Sequence, residues 1–431
     1  MKRFVLALVV AGSMSPLTLP ESALAEEGTV QEILAILRER GIIDEAEYGQ
    51  MAAKNAAYEQ KLEGWRPNIQ LSGDLRVRHE GFWFDEDPFS DRPNRFRGRY
   101  RIRLNASGEV NDWVSAHLRL ASGDDPVSTN VSFGEGGSPF EPDPITIHRA
   151  FIRVTPFAGD REALGGLRTI VEVGRVGMPY TWDFGKDFLL WDGDINLGGT
   201  TLKADYLVNE NLTLFGNTGY YIIDENSSTS DPHMFHVQVG AHASPAEKVK
   251  IGGRLTYFTF RSVNTGFLMT GSSFGNIGAF LADSSSGESG IDVGELAAYM
   301  EFSGIDGWPI LVYASYARNF DARGIPTAGK ENEAWGVGAE IGDKRRLVRL
   351  GVGYFRLEAN AFPAFAVDSD LFDSRTNRKG FAVYASRELR KNMDLNVTLF
   401  ASDAIRKSPV FATSVSGSDR LRLQTDIVVK F

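Results

Sequence analysis

Between residues 95 and 104 the chain reads Arg95-Phe96-Arg97-Gly98-Arg99-Tyr100-Arg101-Ile102-Arg103-Leu104. Arginine takes every second position, and apolar or small residues take the positions between. Successive side chains of a β-strand point to opposite faces, so an extended segment with this sequence has one guanidinium face and one apolar face. A soluble sandwich would not bury five arginines on one face, whereas a strand between lipid and water accommodates both faces. The segment therefore predicts a strand of a membrane β-barrel.

The same two-residue period continues on both sides of this segment, from Ile69 to the end of the chain. A tilted strand needs roughly 9–11 residues to cross a bilayer, and each predicted strand is that long. The strands are expected at 69–81, 95–109, 113–123, 144–155, 167–177, 194–207, 212–223, 233–244, 249–260, 294–303, 310–320, 332–342, 346–358, 379–388, 393–404 and 419–431. The predicted fold class is an all-β membrane barrel of about sixteen antiparallel transmembrane strands, preceded by a short periplasmic helical segment.

The connections between these strands alternate in length. The short ones include 111–112, 209–211, 245–248, 343–345 and 391–392, and the long ones centre on 82–94, 124–143, 178–193, 224–232, 261–293, 321–331, 359–378 and 405–418. Short periplasmic turns and longer outer loops are typical of outer-membrane barrels. An even number of strands would place both ends of the barrel segment on the periplasmic side.

The first 25 residues have the three parts of a secretory signal in order. Lys2 and Arg3 give a positive start, an apolar run covers 4–11, and Ala23-Leu24-Ala25 is a small-residue cleavage site. The apolar run is too short for a transmembrane helix, which needs about 20 residues. We expect residues 1–25 to be removed after Ala25, residues 26–68 to form a periplasmic helical or coiled-coil segment, and residues 69–431 to form the barrel.

The helical segment shows apolar residues at helical spacing, with Gly41 as a break. Val30, Ile33, Leu34 and Leu37 carry the pattern in its first half. Two roles fit it equally, a solvated periplasmic tether and an oligomerisation element.

The last strand places Leu421, Leu423, Thr425, Ile427, Val429 and Phe431 on one face. A terminal aromatic residue on such a strand resembles the C-terminal assembly signal of outer-membrane proteins. Phe431 is therefore the predicted assembly signal, read by the barrel-assembly machinery. The expected location is the outer membrane of a Gram-negative bacterium, with outer-membrane lipid and lipopolysaccharide as neighbours and a homotrimer as a candidate assembly.

Composition excludes several functions. The formal net charge of −10 argues against general nucleic-acid binding, and the absence of cysteine excludes disulfides and thiolate metal sites. The six histidines show no spacing that predicts a metal site. We expect no catalytic residue, no bound metal and no cofactor.

Three segments carry a resemblance to a known family: Ile36-Leu37-Arg38-Glu39-Arg40-Gly41-Ile42-Ile43-Asp44, Leu71-Ser72-Gly73-Asp74-Leu75-Arg76 and Phe188-Leu189-Leu190-Trp191-Asp192-Gly193-Asp194. With the signal, helical segment and barrel in that order, the layout resembles the bacterial putative porin family over nearly all of the mature chain. The resemblance implies passive diffusion of small hydrophilic solutes and does not fix which solutes.

The leading functional feature is a basic inner surface, which we call the arginine wall. It comprises Arg76, Arg78, Arg95, Arg97, Arg99, Arg101, Arg103, Arg119, Arg149, Arg420 and Arg422. Barrel closure makes the first and last strands neighbours, so the three richest rows should meet. Rings of Arg or Lys bias a pore toward anions or phosphate, which predicts a mild anion preference. The alternative is that these arginines only satisfy acidic partners within a polar interior.

The third long loop combines aromatic residues with acids, and its candidate constriction residues are Asp183, Asp187, Asp192 and Asp194. In many sixteen-stranded porins the third loop folds inward and narrows the channel. By that resemblance, its acids would face the arginine wall across the pore. An outer loop with interfacial aromatics fits equally well, and the stretch 261–293 is a rival constriction.

Three function classes therefore compete. A diffusion channel is favoured, because a sixteen-stranded barrel leaves a lumen that side chains do not fill. The alternatives are a structural outer-membrane barrel tethered to the envelope by its helical segment, and an outer-membrane hydrolase.

Overall fold

The structure is a computed structural model. It describes residues 29–63, 69–85, 93–125, 128–134, 142–178, 189–227, 230–263, 276, 291–305, 308–322, 328–408, 411 and 419–431. The chain forms two compact units, residues 1–67 and residues 68–431.

The first unit contains two helices, α1 (Thr29–Glu39) and α2 (Glu45–Glu63), so the predicted helical pair is confirmed. Gly41 ends the first helix in the left-handed region, at a φ of 68°. Asp44 and Glu47 cap the second reciprocally: the Glu47 amide donates to the Asp44 carboxylate and the Asp44 amide donates to the Glu47 carboxylate. In the described residues, neither helix combines the length and the apolar character needed to span a bilayer.

The second unit has sixteen long strands within the described residues. They are β1 (Ile69–Phe84), β2 (Arg95–Glu109), β3 (Val114–Ser122), β4 (Ile145–Val154), β5 (Leu167–Gly177), β6 (Asn196–Asn209), β7 (Leu212–Ile222), β8 (His233–Ala246), β9 (Val249–Arg261), β10 (Ile291–Ile305), β11 (Trp308–Asn319), β12 (Glu333–Gly342), β13 (Arg349–Leu357), β14 (Arg378–Arg390), β15 (Met393–Ala404) and β16 (Arg420–Lys430). A two-residue strand, Val131–Ser132, and 3-10 turns at Pro156–Gly159, Glu162–Leu164 and Ala364–Ala366 complete the set.

The strands form one closed antiparallel barrel, which confirms the predicted fold class. Each strand pairs with its sequence neighbour, and β1 also pairs with β16 from Asp74↔Lys430 to Phe84↔Arg420. Gly73 lies at this closure because a side chain there would collide with the Phe431 ring and the Arg103 carbonyl, 2.6 and 2.7 Å from the position of a Cβ. The Gly73 and Phe431 amides donate to each other's carbonyls, at 2.7 and 3.1 Å.

The alternation of connections is also confirmed, and it defines a turn end and a loop end of the barrel. One turn-end connection, residues 155–166, is longer than the others and contains two of the 3-10 turns. Three loop-end connections matter for the interior: loop 2 (123–144), loop 3 (178–195) and loop 7 (358–377).

The two faces of β2 are as predicted. Phe96 is 59% exposed on the outer surface and Leu104 is also exposed there, whereas Arg99 is buried inside. Tyr100 packs on Phe133, beside the short strand Val131–Ser132, which pairs with the part of β2 nearer the loop end.

These faces predict a large asymmetry between neighbouring substitutions. Ile102→Arg puts a charge on the lipid side near the middle of β2, which costs roughly 2–4 kcal/mol at a bilayer midplane. We expect its yield of folded barrel in refolding into lipid vesicles, scored by heat-modifiable gel mobility, to fall well below that of Arg101→Gln on the inner face. Equal yields would mean that the two faces are exchanged.

The interior is divided into a polar side and an apolar side. The polar side is formed by β1, β2 and β16. Toward the loop end, the opposite strands present apolar side chains inward, among them Tyr221, Met234, Phe258, Phe260, Ile291, Phe355 and Leu357. Loop 7 covers this apolar surface, with Ala361, Phe362, Ala366, Val367 and Leu371 fully buried.

Candidate functional site

The arginine wall is brought together by strand register. Arg76 faces Arg101 and Arg78 faces Arg99 across β1 and β2, while Arg78 also pairs with Asp426 across β1 and β16. Arg119 pairs with Arg149 across β3 and β4. Arg95 is exposed at the loop end of β2. The wall therefore exists as a continuous feature of the interior, but acids that the sequence analysis did not single out are interleaved with it.

Glu80 is the most important of these acids. It is 0% exposed, and its carboxylate accepts hydrogen bonds from Arg97 on β2 and from Arg422 on β16, the latter at 2.6 Å. Gln424 donates to it at 3.1 Å and Arg78 at 3.4 Å. We call these five residues the Glu80 ion cluster. One buried carboxylate thus joins guanidinium groups from three strands.

Loop 7 supplies the second set of acids. The Asp370 carboxylate lies 3.3 Å from Arg78 Nη1 and 3.0 Å from Arg422 Nη2, and it accepts a hydrogen bond of 2.8 Å from Gln424. Asp373 accepts a hydrogen bond from Arg420 at 2.6 Å. The segment 368–373, which we call the loop 7 tip, therefore reaches from the apolar side of the barrel to the arginine wall.

Loop 7 enters the interior together with loop 3, which was the expected inward-folding loop, and Asp194 of loop 3 pairs with Arg103 of the wall. The described part of loop 3, residues 189–195, lies inside the barrel against loop 7: Trp191 pairs with Val367, and the Ser369 amide donates to Asp192 at 2.8 Å. Asp183 and Asp187 lie outside the described residues. In the rival stretch 261–293, Asn276 donates to the carbonyls of Ala359 and Phe362. Loop 7 fills the interior because its apolar side chains match the apolar inner surface there.

Residues 86–271 match the sequence profile of the family described as putative porin. Over this segment the chain is similar to the putative porin family. No curated protein gives a significant sequence match.

Solved porin structures are similar in fold. Pseudomonas putida OprB, in its high-pH structure, has 11% identity and a TM-score of 0.52, with 86% of this chain and 96% of that chain covered. Salmonella typhi OmpF in complex with daunomycin has 13% identity, a TM-score of 0.48, and coverage of 85% and 98%. A triple mutant of Rhodopseudomonas blastica porin has 10% identity, a TM-score of 0.43, and coverage of 84% and 100%. At these identities the likeness to OprB supports the fold and nothing beyond it.

Four arginines of the wall donate hydrogen bonds to neutral oxygens. Arg76 donates to the Asn130 side chain, and Arg99 donates to the Asn130 carbonyl at 2.8 Å. Arg119 donates to Asn105 and Arg149 to Asn196, both at 2.6 Å. Asn130 belongs to loop 2, so this loop also lines the interior. Arg99 also lies 3.9 Å from the Glu80 carboxylate, at the limit of an ion pair. The charge on these four guanidinium groups is consequently compensated less closely than that of their neighbours.

Charge along the wall is therefore unequal. The inward-facing arginines are Arg76, Arg78, Arg97, Arg99, Arg101, Arg103, Arg119, Arg149, Arg420 and Arg422, and the carboxylates in ion pairs with them are Asp74, Glu80, Asp194, Asp370, Asp373 and Asp426. Among the residues that the structure describes, ten positive groups thus meet six negative ones, an excess of four positive charges in this part of the interior. The wall is partly neutralised, as the alternative interpretation of the sequence required, but not completely.

The buried acids of loops 3 and 7 differ in the direction in which their pKa values are shifted. Burial and the neighbouring Asp194 raise the pKa of Asp192 to about 6. Burial, Asp370 and Asp192 raise the pKa of Asp368 well above its usual range. Burial acts in the same direction on Asp370, but Arg78 and Arg422 outweigh it and hold the pKa of Asp370 far below its usual range. The loop 7 tip consequently presents the charges of Asp370 and Asp373 to the wall, and Asp368 is the tip carboxyl whose charged form is disfavoured.

Proposed function

We propose that the chain is an outer-membrane porin, a water-filled channel for the passive diffusion of small hydrophilic solutes with a mild preference for anions. The observation that carries the proposal is the unequal charge of the inner wall, ten arginines against six carboxylates, beside an inward-folded loop. A sixteen-stranded barrel is wide enough to need such a loop to become selective.

The loop also gives the proposed channel two walls of opposite character. Asp370 and Asp373 keep 29% and 28% of their side chains exposed, whereas Arg97, Arg101 and Arg103 expose between 11% and 20% on the facing strand. Carboxylates of loop 7 and guanidiniums of β2 are therefore both partly exposed to water in the same region. Charges that line a narrow pore act at short range, while loop charges in open water are screened over about 8–10 Å at physiological salt. We infer that the wall, rather than the net charge of −10, sets ion preference.

The remaining sequence-based assignments complete the proposal. Residues 1–25 are exported and removed as a signal, and residues 26–68 are a periplasmic segment. Phe431 is read by the assembly machinery, lipopolysaccharide surrounds the loop end, and a homotrimer is the proposed assembly. Phe431 is exposed on the barrel surface, where such a reader could contact it before closure.

Planar-bilayer recording tests the proposal. We expect purified, refolded protein to form open pores and to show a reversal potential of anionic sign in a KCl gradient. Replacing Arg97, Arg99 and Arg101 together with Gln should shift this potential toward cations, because three inward positive charges are removed. Arg345, Arg346 and Arg390 are exposed at the turn end and provide the matched control triple.

Two outcomes would contradict the proposal. If many insertions of folded protein into the bilayer gave no ionic current, the channel function would be contradicted. Strong cation preference that the wall triple leaves unchanged would remove the role of the arginine wall. Heat-modifiable mobility must be retained in both triples, so that a shift is not a folding defect.

A further inference from the structure

The loop 7 tip occupies a group of buried guanidiniums on the first and last strands. Arg78, Arg420 and Arg422 have side chains no more than 4% exposed, and Gln424 is buried beside them. We call these four residues the arginine socket. Asp370 binds Arg78, Arg422 and Gln424, and Asp373 binds Arg420.

Backbone carbonyl oxygens of the loop 7 tip accept further hydrogen bonds from the arginine socket. Arg420 Nη2 donates to the carbonyls of Asp370 and Leu371, both at 2.9 Å. Arg422 Nη1 donates to the carbonyls of Ser369 and Asp370, at 2.9 and 2.8 Å. Every group that the tip presents to these guanidiniums is an oxygen acceptor, and two are carboxylates. A phosphate group or a pair of solute carboxylates offers the same acceptors, and the planar guanidinium fork matches both.

The two ends of loop 7 are anchored independently of the tip, so a movement of the tip involves the segment between these anchors, which includes Val367. Asn360 holds the start of the loop through its amide, which donates to Glu331 O at 2.6 Å, and Asn377 holds the end through its carbonyl, which accepts from Ile405 N at 3.0 Å. Between them, Asp373 and Ser374 have φ values of 56° and 53°, a region that non-glycine residues adopt at a cost. Water already reaches both tip carboxylates, so a solute can compete for their partners.

We propose that the arginine socket is a binding site for a doubly charged anion, a phosphate group or a dicarboxylate, and that the loop 7 tip occupies this site in the resting channel. A dianion that enters the lumen takes the guanidiniums from Asp370 and Asp373, and the tip moves aside and widens the path. The proposal rests on the proposed function, because it assumes a conducting barrel.

Single-channel conductance with inorganic phosphate tests this directly. Conductance in potassium phosphate is compared with that in KCl at equal ionic strength and corrected for bulk conductivity, with potassium succinate as the dicarboxylate arm. We expect a saturable rise in corrected conductance or open time with phosphate or succinate. Asp370→Asn with Asp373→Asn should have the larger conductance already in KCl, and phosphate should then reduce it by occupying the empty socket.

A locked variant separates tip movement from general salt effects. Trp191 and Val367 form an antiparallel bridge, and such pairs have Cα separations of about 4.5–5.5 Å, within the span of a disulfide. The chain has no cysteine, so Trp191→Cys with Val367→Cys forms one defined crosslink. Oxidised, this variant should lose the response to dianions, and a reductant should restore it.

The outcomes distinguish the two proposals. Open pores whose corrected conductance is the same in phosphate, succinate and chloride, with or without the crosslink, would overturn the socket and leave the channel standing. Equal dianion responses of the oxidised and reduced double-cysteine variant would also overturn it. Pores that never open in any salt would instead contradict the proposed function.

Discussion

Replacing Glu80 with alanine is expected to destabilise the barrel more than any other single substitution in the arginine wall. Its carboxylate is fully buried and is shared by Arg78, Arg97 and Arg422. Breaking a buried ion pair by removing one partner costs about 3–5 kcal/mol, because the partner charge stays buried and uncompensated. Here one deletion removes the ion-pair partner of Arg97 and one partner each of Arg78 and Arg422, which keep their contacts with Asp370. The free energy of unfolding, from urea titration in lipid vesicles followed by tryptophan emission, measures the loss.

Asp74→Ala is the matched control. Asp74 also pairs with an arginine of β2, Arg101 at 2.6 Å, but it is partly exposed and has that single ion-pair partner among the residues that the structure describes. Its loss should cost much less, since water can solvate the remaining charge. A Glu80→Ala barrel as stable as the Asp74→Ala barrel would show that the Glu80 ion cluster does not hold the three strands together.

Replacing Phe362 with alanine is expected to undock loop 7 from the barrel interior. Its ring is fully buried, 5.1 Å from the Trp191 ring and 6.0 Å from those of Phe258 and Phe260. Truncating a buried phenylalanine costs about 3–5 kcal/mol through lost transfer energy and the cavity left behind. This cost falls on the docked loop, while the strand hydrogen bonds of the barrel remain. Trypsin cleavage after Arg375, measured over time on intact barrels in vesicles, should accelerate strongly.

Phe365→Ala controls for the loss of an aromatic ring from the same loop. Phe365 is only partly buried and packs at the edge of the same apolar cluster, with its ring 6.3 Å from Phe260. We expect a small change in cleavage rate. Similar cleavage of the two variants, or protection of Arg375 in Phe362→Ala, would argue that loop 7 is held by its polar contacts with the wall instead.

The strands were predictable because their pattern is local. In residues 95–104 the alternation of arginine with apolar or small residues is enough to predict the inward and the lipid-facing side. The same two-residue period predicted all sixteen long strands found in the described residues. Glu80 and Asp426 share the inward parity of Arg78, so the same alternation could have identified them as wall residues. Counting the arginines without these two acids overstates the free positive charge of the wall.

Loop 7 was not predictable from any single segment. Its docking depends on apolar side chains that six or more strands place on the inward face, such as Phe258, Phe260 and Phe355. A signal was present: Tyr257-Phe258-Thr259-Phe260 is aromatic on both faces, and Ala361-Phe362-Pro363-Ala364-Phe365-Ala366-Val367 is unusually apolar for an outer loop. To predict that these two segments pack together, one must know which part of the barrel wall lies beside loop 7. The alternation within a strand does not contain that information.

The Glu80 ion cluster also bears on how the barrel is completed, because it straddles the closure between β1 and β16. Arg78 and Glu80 come from the first strand of the barrel, and Arg422 and Gln424 come from its last strand. Until the two edges meet, each half of the cluster lacks its partners. A pairing displaced by one residue would turn Arg422 to lipid and place Leu423 or Thr425 opposite Glu80. The cluster is therefore complete only when the two edges meet in this register, and its ion pairs favour closure in this register over its neighbours.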